Sequence, residues 1–417
     1  MVASEWKNQN PWASREKLPR VSPGHVLLTS LICFLCAVSI PFCANPMVAL
    51  LTLAVLFAYV AGVGRRPLTV AMVLVTTLLF TVLGSVAGIG FTVGAVLLSL
   101  VVGCATVAFL MSTLRHALVG ALIPVAAVGV AFAVTRNLPI ALSALAFLPG
   151  GALLAFATLR AKGRTTAICF AQCGLMLSVL AGLAVLVWRI YGSVGPAAIR
   201  AAIDAAKESL VRAFEAFRDY NIATLESVTV GEQSQELIDR VNLLYNREMA
   251  LQIFSIFPAV IAVLCGIVAY EAQSFLNASY KTVGLGEVLT ANACFFSMST
   301  TSAILFVVSF ILSMLVSAST VPGAAMQNLS LLLMPGLAVI GLQSIVASVR
   351  HAKGSNRIFL LLLLAFFVCC TGGVFYMLAF WGSYGIVMLA LQKKMVEKII
   401  QGGRGGDSSN DSDHEDP

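Results

Sequence analysis

The stretch TVGAVLLSLVVGCATVAFLMST, residues 92–113, decides the fold. It holds no charged residue from end to end, and about 20 consecutive apolar residues are what an α-helix needs to cross the hydrocarbon layer of a bilayer. Working outward, the same texture recurs at 26–43, 46–63, 68–88, 117–134, 138–159 and 166–190. Beyond a polar insert it returns at 251–274, 296–318, 328–349, 358–371 and 374–392. The pattern predicts an all-α fold: a polytopic transmembrane helical bundle of about 11–12 spans.

Composition agrees. The chain of 417 residues is 59% hydrophobic and 11% charged, against roughly 25% charged in soluble domains. The formal net charge is +7, but the bases sit in short links between apolar runs and make no basic patch interleaved with aromatics, which argues against nucleic-acid binding. No Asp or Glu occurs between Glu16 and Asp204. The bilayer is therefore the expected partner. Other membrane subunits and a small-molecule solute are further candidate partners.

Sidedness follows from Lys and Arg in the short loops. With the N-terminus in the cytoplasm, the inner loops hold Arg65 and Arg66, Arg115, the Arg160–Lys162–Arg164 cluster, Lys281, and Arg350, Lys353 and Arg357. The opposite orientation puts nearly every cluster on the wrong side. The reading is a protein of the bacterial inner membrane with both termini cytoplasmic. Residues 1–25 form a polar N-terminal tail without a cleavable signal, and 26–192 form a first bundle of about seven spans. Residues 193–250 form an extracytoplasmic insert, 251–392 a second bundle of about four to five spans, and 393–417 an acidic, Gly- and Ser-rich tail expected to be disordered.

The insert reads as a helical hairpin. Ile199, Ile203, Ala206, Leu210, Phe214 and Phe217 recur at helical steps, a break is expected at NIATLESVTVG (221–231), and Leu237, Val241, Leu244 and Tyr245 mark a second amphipathic run. Its apolar stripes are expected to pack together, with the membrane surface or a partner as alternatives.

Chemistry-bearing residues within the spans are few. An ionisable group at membrane depth is costly and so a functional candidate. Glu271 stands out, able to bind a cation, accept a proton or pair with Lys281; the plainer reading places it at the water boundary at the inner end of its span. Arg189 reads as snorkelling to the outer interface. Gln172, Asn292, Asn328 and Gln343 are polar positions suited to interhelical hydrogen bonds or to solute contact. Pro41, Pro124, Pro149 with Gly150 and Gly151, Pro258 and Pro335 interrupt spans; broken membrane helices can line binding sites. The ten cysteines show no ligand frame and read as small buried hydrophobes. No catalytic, cofactor or metal motif is present, and the chain is read as a non-enzyme.

The second half resembles the YybS-like family of predicted bacterial multi-pass membrane proteins, a domain of unknown function. The resemblance rests on the polar insert before a span, FPAVIAVLCGIVAYEAQSFL (257–276) with Pro258 and Tyr270, and NLSLLLMPGLAVIGLQSIVASV (328–349) with Asn328, Gly341 and Gln343, followed by a basic loop and a final hairpin. It spans about residues 68–392, while FFSMSTTSAILF (295–306) lacks the family's aromatic–arginine–proline pattern. That family is distantly similar to the substrate-binding membrane subunits of energy-coupling-factor transporters. The resemblance implies solute binding or transport. The alternative is a non-catalytic scaffold in envelope assembly or morphogenesis, motivated by the outer hairpin.

Overall fold

The structure is a computed structural model that describes residues 21–63, 67–85, 88–113, 117–160, 163–228, 232–283, 298–317, 320–351 and 374–404. Among the described residues every regular element is helical. In chain order these are α1 (Pro23–Phe42), α2 (Pro46–Val63), α3 (Pro67–Ser85), α4 (Gly90–Thr113), α5 (Ala117–Thr135) and α6 (Leu138–Leu142). A 3₁₀ turn (Ser143–Leu145) leads into α7 (Leu148–Leu159), α8 (Arg164–Tyr191), α9 (Pro196–Val228) and α10 (Glu232–Leu244). Then come α11 (Arg247–Thr282), α12 (Thr300–Leu315), α13 (Val321–His351) and α14 (Val374–Arg404).

Proline writes many of the starts. Pro23, Pro46, Pro67 and Pro196 each open a helix, where the missing N–H costs nothing and the fixed φ suits the first turn. Ser22 caps α1 by accepting from the His25 N–H, and Asn246 caps α11 by accepting from the Met249 N–H. Gly192 closes α8 at φ +70°, a left-handed conformation that glycine adopts without strain.

Among the described residues eight stretches are long and apolar enough to cross a membrane, and α3, α5 and α12 carry shorter apolar segments. Their surfaces are apolar too: Leu27, Leu31, Leu78, Leu79, Leu177 and Leu180 all lie exposed. Water does not tolerate greasy surface spread over so many helices, whereas lipid does. The chain is a multi-pass integral membrane protein. The expected span 358–371 and the polar residue Asn292 lie outside the described residues.

The chain divides into two compact units. The first holds residues up to Phe254 together with Ile261–Phe295; the second holds Ser255–Val260 and the chain from Phe296 onward. The boundary thus runs through α11.

In the first unit α4 is the hub. It packs against α1, α2, α3, α5 and α7, and nearly all of it is buried. Small residues allow this closeness. Gly103 lies under the Phe147 ring, and Gly94 and Gly90 lie on Thr81 and Ser85 of α3. On the far side of α7, Gly174 of α8 meets the backbone of Pro149 and Gly150. With little hydrophobic drive between helices in lipid, such backbone approach is a main source of cohesion.

The second unit packs α12, α13 and α14 around Ala303, Phe306, Leu337, Ala338, Ile345, Leu378 and Ala379. Phe310 meets Tyr376 and Phe380 at ring-centroid distances of 5.1 and 5.0 Å. Such pairs add about 0.5–1.5 kcal/mol each beyond burial.

Several expectations need correction. The run 138–159 is long and apolar enough to cross a membrane, as expected, but it is built of α6, a 3₁₀ turn and α7 rather than one helix, with Pro149 in the first turn of α7. The break expected at 221–231 does not begin at 221: α9 continues to Val228, because NIATLESV contains neither Gly nor Pro to stop it. The helix α14 continues to Arg404, so residues 393–404 are helical where a disordered tail was expected.

Candidate functional site

The α11 helix carries the densest set of polar side chains in the apolar part of the first unit. Tyr270, Glu271, Gln273, Ser274, Ser279 and Tyr280 fall within its last four turns. Glu271 is the decisive member. It is only 2% exposed, its carboxyl lies beside Thr76 of α3, and among the described residues its Oε2 has no hydrogen-bond partner.

Thr76 stands midway along α3, nine residues from either end, so Glu271 lies at the depth of the middle of that helix. Glu271 is thus buried among helices, and α11 does not end with its apolar run at Leu276 but continues through small polar residues to Thr282. Pairing with Lys281 is overturned. Ten residues of helix separate the two by about 15 Å, and Glu271 joins none of the ion pairs found among the described residues. A buried polar atom without a partner costs about 1–3 kcal/mol, more if charged. Retained costs of that kind mark sites that act on something.

Beside it, Arg164 at the start of α8 lies over the Tyr270 ring at 4.8 Å. Its guanidinium donates to Gln273 Oε1 at 3.1 Å and to Ser274 Oγ at 3.0 Å. This fixes the α8 entrance against α11. The sequence reading assigned Arg164 only to a basic loop and missed it as a polar anchor. Its position two residues after Lys162, at a helix start, gives no hint of a partner more than a hundred residues on. Ser112 and Tyr280 hydrogen-bond each other nearby.

Two of the other candidates make contacts between helices. Gln172 of α8 donates through Nε2 to the Ala262 carbonyl of α11 at 2.8 Å. Arg189 is exposed and donates to Asn137 Oδ1 at 2.7 Å, tying the end of α8 to the start of α6. Gln343 is half-buried on α13.

Asn328, in the second unit, does more. Its Oδ1 accepts from the Ala259 N–H at 3.0 Å, while its Nδ2 donates to the Ser255 carbonyl at 2.7 Å and to the Ala324 carbonyl of its own helix at 2.7 Å. Ser255 and Ala259 are a donor–acceptor pair four residues apart in α11, flanking Pro258. The carboxamide therefore clasps one rung of the helix ladder where proline weakens it. The structure does not bring Glu271, Gln172 and Arg189 into one cluster: Gln172 and Arg189 each serve a separate helix contact.

The helices α9 and α10 of the insert pack on each other. Phe214 and Phe217 of α9 both meet the Tyr245 ring at 5.9 Å, Val211 is buried, and Arg247 pairs with Glu208 at 2.9 Å. Among the described residues no group of three His, Cys, Asp or Glu side chains is placed to hold a metal ion. Comparison with known proteins finds no matching protein family, no matching characterised protein and no matching solved structure.

Proposed function

We propose that this protein binds a small, positively charged or hydrogen-bond-donating solute within the bilayer and moves it across, alone or as the membrane subunit of a larger transporter. The observation that carries the reading is the unpartnered Oε2 of Glu271, an acceptor held at the depth of mid-α3 in a protein almost free of intramembrane carboxylates. An intramembrane acid of this kind earns its cost by meeting cargo. Pro258 lies inside the continuous α11 helix, thirteen residues before Glu271, where it withdraws one N–H from the helix ladder and frees a carbonyl for another partner. The resemblance of residues 68–392 to the YybS-like family, and through it to energy-coupling-factor substrate-binding subunits, belongs to this proposal. So does the orientation with both termini in the cytoplasm.

The test is a stability screen of the purified chain in detergent against cationic metabolites, amines and metal ions. A cognate solute raises the unfolding midpoint of the wild type saturably and leaves Glu271→Gln unmoved. A solute that stabilises both proteins equally contradicts the assignment of Glu271.

A second reading, a membrane scaffold, draws on α9. This helix of 33 residues is about 50 Å long, and it leaves Ile199, Ile203, Phe217 and Tyr220 exposed. Deleting the hairpin and comparing the proteins that co-purify separates the two readings.

A further inference from the structure

A small cavity lies inside the first unit, walled by α1, α2, α4 and α11. Thr29, Tyr59, Thr106 and Ser279 supply oxygen to its wall, and His25 stands at its side. Its volume is about 10 Å³, room for a single water-sized guest.

The chemistry of that wall is one-sided. Thr29, Thr106 and Ser279 are all buried, and a hydroxyl has one proton to give and two lone pairs. Each of the three gives its proton to a carbonyl of its own helix: Thr29 to His25 at 2.8 Å, Thr106 to Gly103 at 3.0 Å, Ser279 to Phe275 at 3.0 Å. What remains is lone pairs. The Tyr59 hydroxyl lines the same wall, and a phenol oxygen carries lone pairs besides its proton.

Two helix C-terminal ends add the same sign, against the opposite sign of the first turn of α1, where His25 stands. Val63, the last residue of α2, lines the cavity, and Ser279 lies in the final turn of α11. The C-terminal end of a helix carries partial negative charge. No Lys or Arg is among the lining residues. A divalent ion would require carboxylate ligands, and none lines the cavity.

We propose that this cavity is a binding site for one small monovalent cation, of the size of sodium, potassium or ammonium, held by the hydroxyl oxygens of Thr29, Tyr59, Thr106 and Ser279. It is separate from Glu271, which lies two helical turns away from Ser279, about 12 Å along α11.

The experiment uses the full chain purified in detergent. Thermal unfolding is followed in sodium, potassium, ammonium or N-methyl-D-glucamine chloride at one ionic strength. At least one small cation raises the midpoint saturably, by about 2 °C or more well above half-saturation, and N-methyl-D-glucamine does not. Thr106→Val and Ser279→Ala each abolish the rise; if Thr106→Val does not fold, Ser279→Ala carries the comparison. Glu271→Gln keeps the rise, which separates this site from the solute reading. Equal midpoints in all four salts, or a rise that survives Ser279→Ala, overturn the proposal and leave water as the guest.

Discussion

Gly341 of α13 and Gly382 of α14 lie backbone against backbone. A Cβ added at Gly341 would run into the Leu378 carbonyl, and one added at Gly382 into the Leu337 carbonyl. Backbone cannot step aside as a flexible side chain can. Gly341→Leu or Gly382→Leu is therefore expected to destabilise the second unit by about 2 kcal/mol or more, read as a lower unfolding midpoint in detergent. Gly385, with open space at its Cβ, is the control: Gly385→Ala is expected to be neutral or to stabilise by about 0.5–1 kcal/mol.

The Asn328 clasp gives a second expectation. Asn328→Leu removes hydrogen bonds to Ser255 and Ala259 that support α11 beside Pro258. The loss is expected at about 1–2 kcal/mol. Pro258→Ala restores a helix N–H at that turn, so the cost of Asn328→Leu shrinks in its presence. A double-mutant cycle on unfolding midpoints measures the coupling; strict additivity would deny the clasp.

In the hairpin, aromatic packing outweighs charge. Tyr245→Ala takes away the ring that Phe214 and Phe217 meet, and hydrogen exchange in α10 is expected to rise markedly. Breaking the exposed Arg247–Glu208 pair by Glu208→Ala is expected to cost less than about 1 kcal/mol and to leave that exchange nearly unchanged.

The proposed sidedness is checked by chemistry in intact cells. In a variant stripped of its own cysteines, Tyr220→Cys is expected to react with a membrane-impermeant maleimide from outside. Lys281→Cys is expected to react only after permeabilisation. The reverse pattern would invert the topology.

How much of this was legible in the sequence follows from what each signal reports. Span existence was legible because a run such as 92–113 has no other stable solvent than lipid. Which way each helix faces was not. The α4 sequence is apolar on every side, so its place as the hub rests on Gly94, Ser99, Gly103 and Thr106, and residues that small look the same whether they meet a helix or lipid.

Glu271 was legible as an ionisable outlier, but its burial was not, because the apolar run stops at Leu276 while the helix goes on. The partners of Asn328, Gln172 and Arg164 lie tens of residues or more away, and one sequence carries no record of such pairings. The hairpin stripes were legible from spacing alone, since one of their faces meets water and leaves a helical period.

The account rests most heavily on Glu271 lying within the bilayer rather than at its edge. The direct measurement is carbodiimide labelling of the chain in liposomes, mapped by peptide mass spectrometry. A lipid-soluble carbodiimide is expected to modify Glu271, and a water-soluble one to leave it untouched while labelling Glu208 and Glu236 in the hairpin. Modification of Glu271 by the water-soluble reagent to the same extent as Glu208 would contradict the account.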